Sequence, residues 1–138
     1  MADTGYNWAA AWSAMQIGAA DWTANALADN ATETGDMLDC DGKAAVLISV
    51  TAAEDNTGAI DGDATVYVLR DCDGTNVETV SMASFAAAFR PVQNSTVYWS
   101  AALGCSQWNK LKVAVKNEAG QELAITVKYI FATIPVAS

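Results

Sequence analysis

No histidine occurs anywhere in the 138 residues, and the chain has only two prolines and seven lysines and arginines. Without an imidazole, a serine or cysteine nucleophile lacks its usual general base. The same absence, with no C-x-x-C pair, removes the common zinc ligand sets. The three cysteines, Cys40, Cys72 and Cys105, are odd in number and irregular in spacing. That is a poor disulfide framework and suits a reducing cytosol. No apolar run approaches the ~20 residues of a membrane-spanning helix. Met1 to Gly5 has neither the basic nor the apolar region of a signal peptide, so none is expected. A net charge of −9 argues against nucleic-acid binding, which needs a cationic surface to displace counterions.

The acids are unevenly placed. Up to Asp63 only Lys43 stands against eleven of them, whereas from Ala64 onward six bases meet five acids. An acidic surface or loop set joined to a near-neutral body is the reading this supports.

What the chain does have is alternation. In Lys110 to Asn117, Leu111, Val113 and Val115 alternate with Lys110, Lys112, Ala114 and Lys116. In Leu123 to Ile134, Leu123, Ile125, Val127, Tyr129 and Phe131 alternate with Ala124, Thr126, Lys128, Ile130 and Ala132. A period of two marks strands with one buried and one wet face. The intervening Asn117-Glu118-Ala119-Gly120 has the length and the glycine of a hairpin turn, which predicts a C-terminal hairpin beginning near Trp108. Ala44 to Ala52, Ala64 to Arg70 and Val97 to Leu103 alternate in the same way, and Asp36 to Asp41 reads as a shorter strand. Asp73-Gly74 predicts a turn into a return strand over Val77 to Met82. Ala83 to Pro91 has Phe85 and Phe89 at helical spacing but runs into Pro91, which favours a strand or bent connection. Seven to nine short strands without a long helix predict an all-β fold, an antiparallel β-sandwich or jelly roll.

Residues 1 to 30 differ in composition and read as an N-terminal extended arm ahead of a sandwich domain over 31 to 138. Tyr6, Trp8, Trp12 and Trp22 lie among alanine, glycine and asparagine. A short helix through Trp8, Trp12 and Met15 is the alternative. Such large apolar side chains either close this domain's own core or lie against another subunit, and all four are candidates for partner binding.

Other candidates are set against plainer readings. Asp39-Cys40-Asp41-Gly42 and Asp71-Cys72-Asp73-Gly74 could begin calcium loops, but neither continues with the further oxygens an EF-hand requires. Both read as turns. Glu54, Asp55, Asp61 and Asp63 form a second acidic cluster, also read as a loop without metal. No catalytic, metal or cofactor residue is expected, and the chain does not read as an enzyme. Trp99 is in phase with Val97 and Leu103, so it and Trp108 read as core rather than as sugar-stacking platforms. Asn30-Ala31-Thr32 and Asn94-Ser95-Thr96 match the glycosylation pattern, which matters only in a secreted chain.

The aromatic N-terminal stretch, the acidic turns and two runs, Ala64 to Asn76 and Val113 to Gln121, resemble small virion structural proteins of tailed bacteriophages. In size and character the chain is most similar to head decoration (cement) proteins. The resemblance extends from about Gly35 to the C-terminus. It implies a β-rich fold made in the host cytoplasm and a place on the outer capsid surface. The implied partners are the major capsid protein and further copies of this chain, as a homo-oligomer with a trimer favoured. A tail or baseplate component and a carbohydrate-binding adhesin domain are the alternatives.

Overall fold

In a computed structural model, which describes residues 7–55, 58–105 and 109–133, the chain forms two packed antiparallel sheets. The first layer is centred on β13 (Leu123–Thr133) and β8 (Ala45–Ala53), which pair from Ala124↔Ala53 to Ala132↔Ala45. β11 (Thr96–Gly104) forms the outer edge beyond β8. Along the other side of β13 run β1 (Asn7–Trp8), β2 (Ser13–Ala14) and β5 (Asn25–Leu27). A small hairpin, β3 (Gln16–Ile17) with β4 (Ala20–Asp21), projects between β2 and β5. The second layer is β10 (Phe85–Phe89), β9 (Ala64–Arg70) and β12 (Lys110–Asn117), with β6 (Thr32–Thr34) and β7 (Leu38–Asp39) on the far edge.

Taking β1, β2 and β5 as one interrupted strand and β6 with β7 as another leaves four strands per layer. Numbered along the chain, their orders are 1-8-3-6 and 5-4-7-2, with neighbours antiparallel. That is the connectivity of a jelly roll. The predicted all-β sandwich or jelly roll is therefore the observed fold.

This topology corrects the predicted C-terminal hairpin. β12 pairs with β9, β6 and β7, and β13 pairs with β8, so the two strands belong to different layers. The alternation marks the inward side chains from Leu111 to Val115 and from Leu123 to Val127, whereas farther along β13 Ile130 and Ala132, expected on the wet face, are buried and Tyr129 and Phe131 only partly so. The turn between the two strands passes from one sheet to the other. Asn117 explains why. Its buried side chain donates to Leu27 O (2.9 Å) and Gln121 O (2.7 Å) and accepts from Ala119 N–H (2.9 Å). Gly120 follows at φ +88°, and its N–H donates to Asp29 Oδ1 (2.9 Å).

The core lies between the layers. Val46, Ile48 and Val50 with Leu123, Ile125 and Val127 face Val66 and Val68 with Leu111, Val113 and Val115, all fully buried. Each contributes roughly 1.5–3 kcal/mol by leaving water. Ala114, expected on the wet face, is also buried; its rung neighbours are Tyr67 and Thr34. Cys40 and Cys105 are buried free thiols, and Cys72 is exposed. Burial, then the neighbouring Cys105 and Asp39, pushes the Cys40 thiol up to about 12.

The predicted return strand over Val77 to Met82 is displaced. The turn forms, with Asp73 Oδ1 accepting from Thr75 and Asn76 N–H, but only Val77 bridges back, to Asp71. A 3-10 turn over Val80–Met82 follows, and the strand resumes as β10, where Phe85↔Val68 and Phe89↔Ala64 pair. The connection is held by Glu78, whose Oε1 accepts from Arg70 N–H (2.8 Å) and Nε (3.2 Å) while Oε2 accepts from Ser84 Oγ (2.6 Å). Burial alone would raise the Glu78 carboxyl. The hydrogen bonds from Ser84 and Arg70, with the guanidinium charge, outweigh it and hold the group down to about 2. Its folded value lies below the ordinary one, so its contribution is complete above about 4.5 and is lost as pH falls towards about 2. Glu78→Gln is expected to lower stability at pH 7 and to flatten the loss between those limits. Urea midpoints across the range would show it, and parallel wild-type and variant curves would refute it.

Candidate interaction surfaces

The four aromatic residues singled out at the N-terminus have different fates. Tyr6 lies outside the described residues, as does Trp108. Trp22 is fully buried in the core cluster with Met15 and Leu27. Of the two readings for these side chains, Trp22 takes the first: it closes this chain's own core and is not available to a neighbour. Trp8 and Trp12 remain 41% and 45% exposed. Both lie on the segment bound along β13, through Asn7↔Thr133 and Trp8↔Ala132, then Ala9 N–H to Phe131 O (3.0 Å), then Ser13↔Tyr129.

Two surfaces stand out. The first is an open groove of about 410 Å³ across the outer face of the β11–β8–β13 layer, lined by Trp12, Thr23, Ser49, Thr51, Tyr98, Thr126 and Lys128. The strand registers arrange these in rungs. Tyr98, Thr51 and Thr126 are opposite one another, and Ser100, Ser49 and Lys128 form the next rung. Thr126 Oγ1 accepts from Ala24 N–H (2.8 Å), where Ala24 takes φ +51° and turns the chain along the groove wall. Tyr98 is 78% exposed. Sequence reasoning passed over it, although it occupies the outward phase of β11, opposite to Val97 and Trp99. That phase was a readable signal. The adjacency of β8, β11 and β13 was not, and it is what assembles the groove.

The second surface is the side of the sandwich where β10 and β11 end their sheets. Over their lengths, Phe85–Phe89 and Thr96–Gly104, neither strand carries a charged residue. Inward-facing Phe85, Phe89, Trp99 and Leu103 are only half-buried where the layers open. Met82 and Val92, in the connections flanking β10, are exposed apolar residues. Exposed edge strands offer unpaired backbone donors and acceptors, and proteins usually guard them with charge, proline or interruption. The opposite edge of the first layer is interrupted in that way, being split among β1, β2 and β5.

The acidic stretches do not converge. Glu54 is buried and accepts from Asn94 N–H (3.0 Å), while Asp63 pairs with Arg90 (2.9 Å) at the surface. Asp39 Oδ1 accepts from Asp41 N–H within a local turn, and Gly42 takes φ +73°. Among the described residues no three acids or cysteines form a group able to hold a metal ion.

No family model matches the chain, and no curated protein matches it in sequence. Among solved structures it is similar to the PRD1 vertex protein P5, at 17% identity over 82% of this chain and 90% of that one, with a TM-score of 0.49. A structure described as Bacillus endospore appendages, a family of disulfide-linked pili, gives 14% identity, 98% and 96% coverage and a TM-score of 0.46. The CBM22-1 xylan-binding domain of Paenibacillus barcinonensis Xyn10C gives 11%, 99%, 90% and 0.45. At these overlaps none of them assigns this chain a role.

Proposed function

We propose that this chain is a virion structural protein of a tailed bacteriophage: a head decoration (cement) protein that binds the outside of the shell where major capsid subunits meet. It acts by adhesion, and copies of it associate, three to a ring. The observation that carries this reading is the pair of edge strands β10 and β11, neither of which carries a charge, with the half-buried aromatic row between them and a nine-residue edge of β11 that no strand pairs among the described residues. A second copy is the occupant that fits. Exposed Trp8 belongs to the opposite edge of the same sheet, so contact between the two edges is head-to-tail. Head-to-tail contacts are heterologous and close into rings when the rotation per step permits. Many copies on one lattice then convert modest contacts into firm retention. Bound across a joint between capsid subunits, each ring adds contacts that separation of those subunits must break.

Ala86→Lys and Ala102→Lys place a charge on each edge at exposed positions. Such surface changes shift stability by only about 0.5 kcal/mol. Both are expected to turn the assembled species into monomers in sedimentation velocity, and to reduce cosedimentation with undecorated shells at least tenfold. A wild-type chain that is monomeric at high concentration and ignores shells would overturn the proposal.

A further inference from the structure

We propose that the groove on the outer face of the β11–β8–β13 layer is an oligosaccharide-binding site. This inference does not depend on the shell-binding reading. The groove crosses the sheet from Tyr98 on β11, over Ser49 and Thr51 on β8 and Thr126 and Lys128 on β13, to Trp12 and Thr23. That is three strand spacings, or about 14 Å, which suits a short chain of sugar rings better than a single one.

Its chemistry is selective. Four serine and threonine hydroxyls and the Tyr98 phenol line it, and each both donates and accepts, as the hydroxyls of a sugar do. Thr126 Oγ1 already accepts from Ala24 N–H, which fixes its position and leaves its own proton to donate. The two aromatic rings give flat apolar surface at the ends, suited to the C–H faces of pyranose rings. Tyr98 at 78% exposure has most of its ring open to such a contact. A peptide adding as a strand would need a free sheet edge, and this is a sheet face. A phosphate chain would need several cations, and among the described residues Lys128 is the sole charged one in the lining. Among the described residues no carboxylate lines the groove, although acids outnumber bases sixteen to seven in the chain. Lys128 can therefore hold a sugar hydroxyl or a sugar carboxylate without local repulsion.

The test is a glycan array carrying neutral and uronic- or sialic-acid oligosaccharides, followed by titration calorimetry with the retained glycan. Wild type is expected to retain at least one oligosaccharide. Tyr98→Ala and Trp12→Ala should weaken it about ten- to thirtyfold, the usual effect of truncating an aromatic anchor. Thr51→Val, which keeps shape but removes a hydroxyl, should weaken it severalfold. Trp8→Ala, outside the groove, should leave it unchanged, so loss of assembly and loss of sugar binding separate. If Lys128→Gln weakens binding only of acidic glycans, the amine reads a carboxylate; if it weakens neutral ones equally, it reads a hydroxyl. Both support the site. Retention of no oligosaccharide by wild type, or binding indifferent to Tyr98→Ala and Thr51→Val, would overturn it.

Discussion

Trp22→Ala is expected to cost about 3–5 kcal/mol of folding stability, the range for truncating a buried aromatic residue. Against a typical total of about 5–15 kcal/mol, that is enough to leave the variant marginal. The cost follows from where the chain puts this residue. Met15 N–H donates to Val127 O (2.9 Å), and Val127 N–H donates to Trp22 O (2.9 Å). The segment thus leaves the edge of β13 after Met15, makes the β3–β4 hairpin, and returns to the same rung at Trp22. Trp22 N–H closes the excursion on Met15 O (2.6 Å). Both side chains turn inward and are fully buried. Opposite them stands Gly35, where any Cβ would run into the Met15 side chain and crowd the Trp22 ring. The pocket is shaped on both sides, so alanine leaves a cavity that its walls cannot easily fill. The indole Nε1 has no hydrogen-bond partner among the described residues. Burying an unpaired donor costs about 1–3 kcal/mol, so Trp22→Phe, which removes it, should cost much less than alanine. Urea unfolding followed by far-UV circular dichroism would separate the two. An alanine variant within about 1 kcal/mol of wild type would mean that Trp22 does not close the core.

Phase was legible in the sequence, and partnership was not. Val46, Ile48 and Val50, or Leu111, Val113 and Val115, announce a buried face because strand side chains alternate strictly. Alternation carries no label for the neighbouring strand. Asn117 to Gly120 therefore looked like a hairpin turn, since a turn between layers uses the same glycine at positive φ. Trp22 was hard to place for a related reason. The short pieces β1, β2 and β5 have no period of their own, and only the continuous edge of β13 orders them. The groove depends on the same missing information. Ser49, Thr51, Thr126 and Lys128 could each be read as outward, but the registers Thr126↔Thr51 and Tyr98↔Thr51 come from the jelly-roll winding. Long-range order of strands is set by how two layers cover each other, and no local window contains it.

Asn117→Leu is expected to destabilise the fold by about 3–5 kcal/mol, more than its volume suggests. Leucine loses three side-chain hydrogen bonds and leaves Leu27 O, Gln121 O and Ala119 N–H without them. Each buried group orphaned in that way costs about 1–3 kcal/mol. The backbone of Asn117 adds two further ties: its N–H donates to Ala31 O (2.9 Å), and its carbonyl accepts from Asn30 N–H (2.7 Å). One residue thus serves two crossings between layers at the same end of the sandwich. These are the turn from β12 to β13 and the connection from β5 to β6. An apolar side chain there would fill space but satisfy neither crossing. Glu118, one residue on, is exposed and pairs only with Lys116 (2.7 Å) among the described residues. A surface pair of that kind is worth no more than about 1 kcal/mol, so Glu118→Ala is the control. The midpoint of Asn117→Leu in urea should fall far below that of Glu118→Ala, with the same slope. Equal midpoints would mean that the turn, and not the asparagine, carries the chain from one sheet to the other.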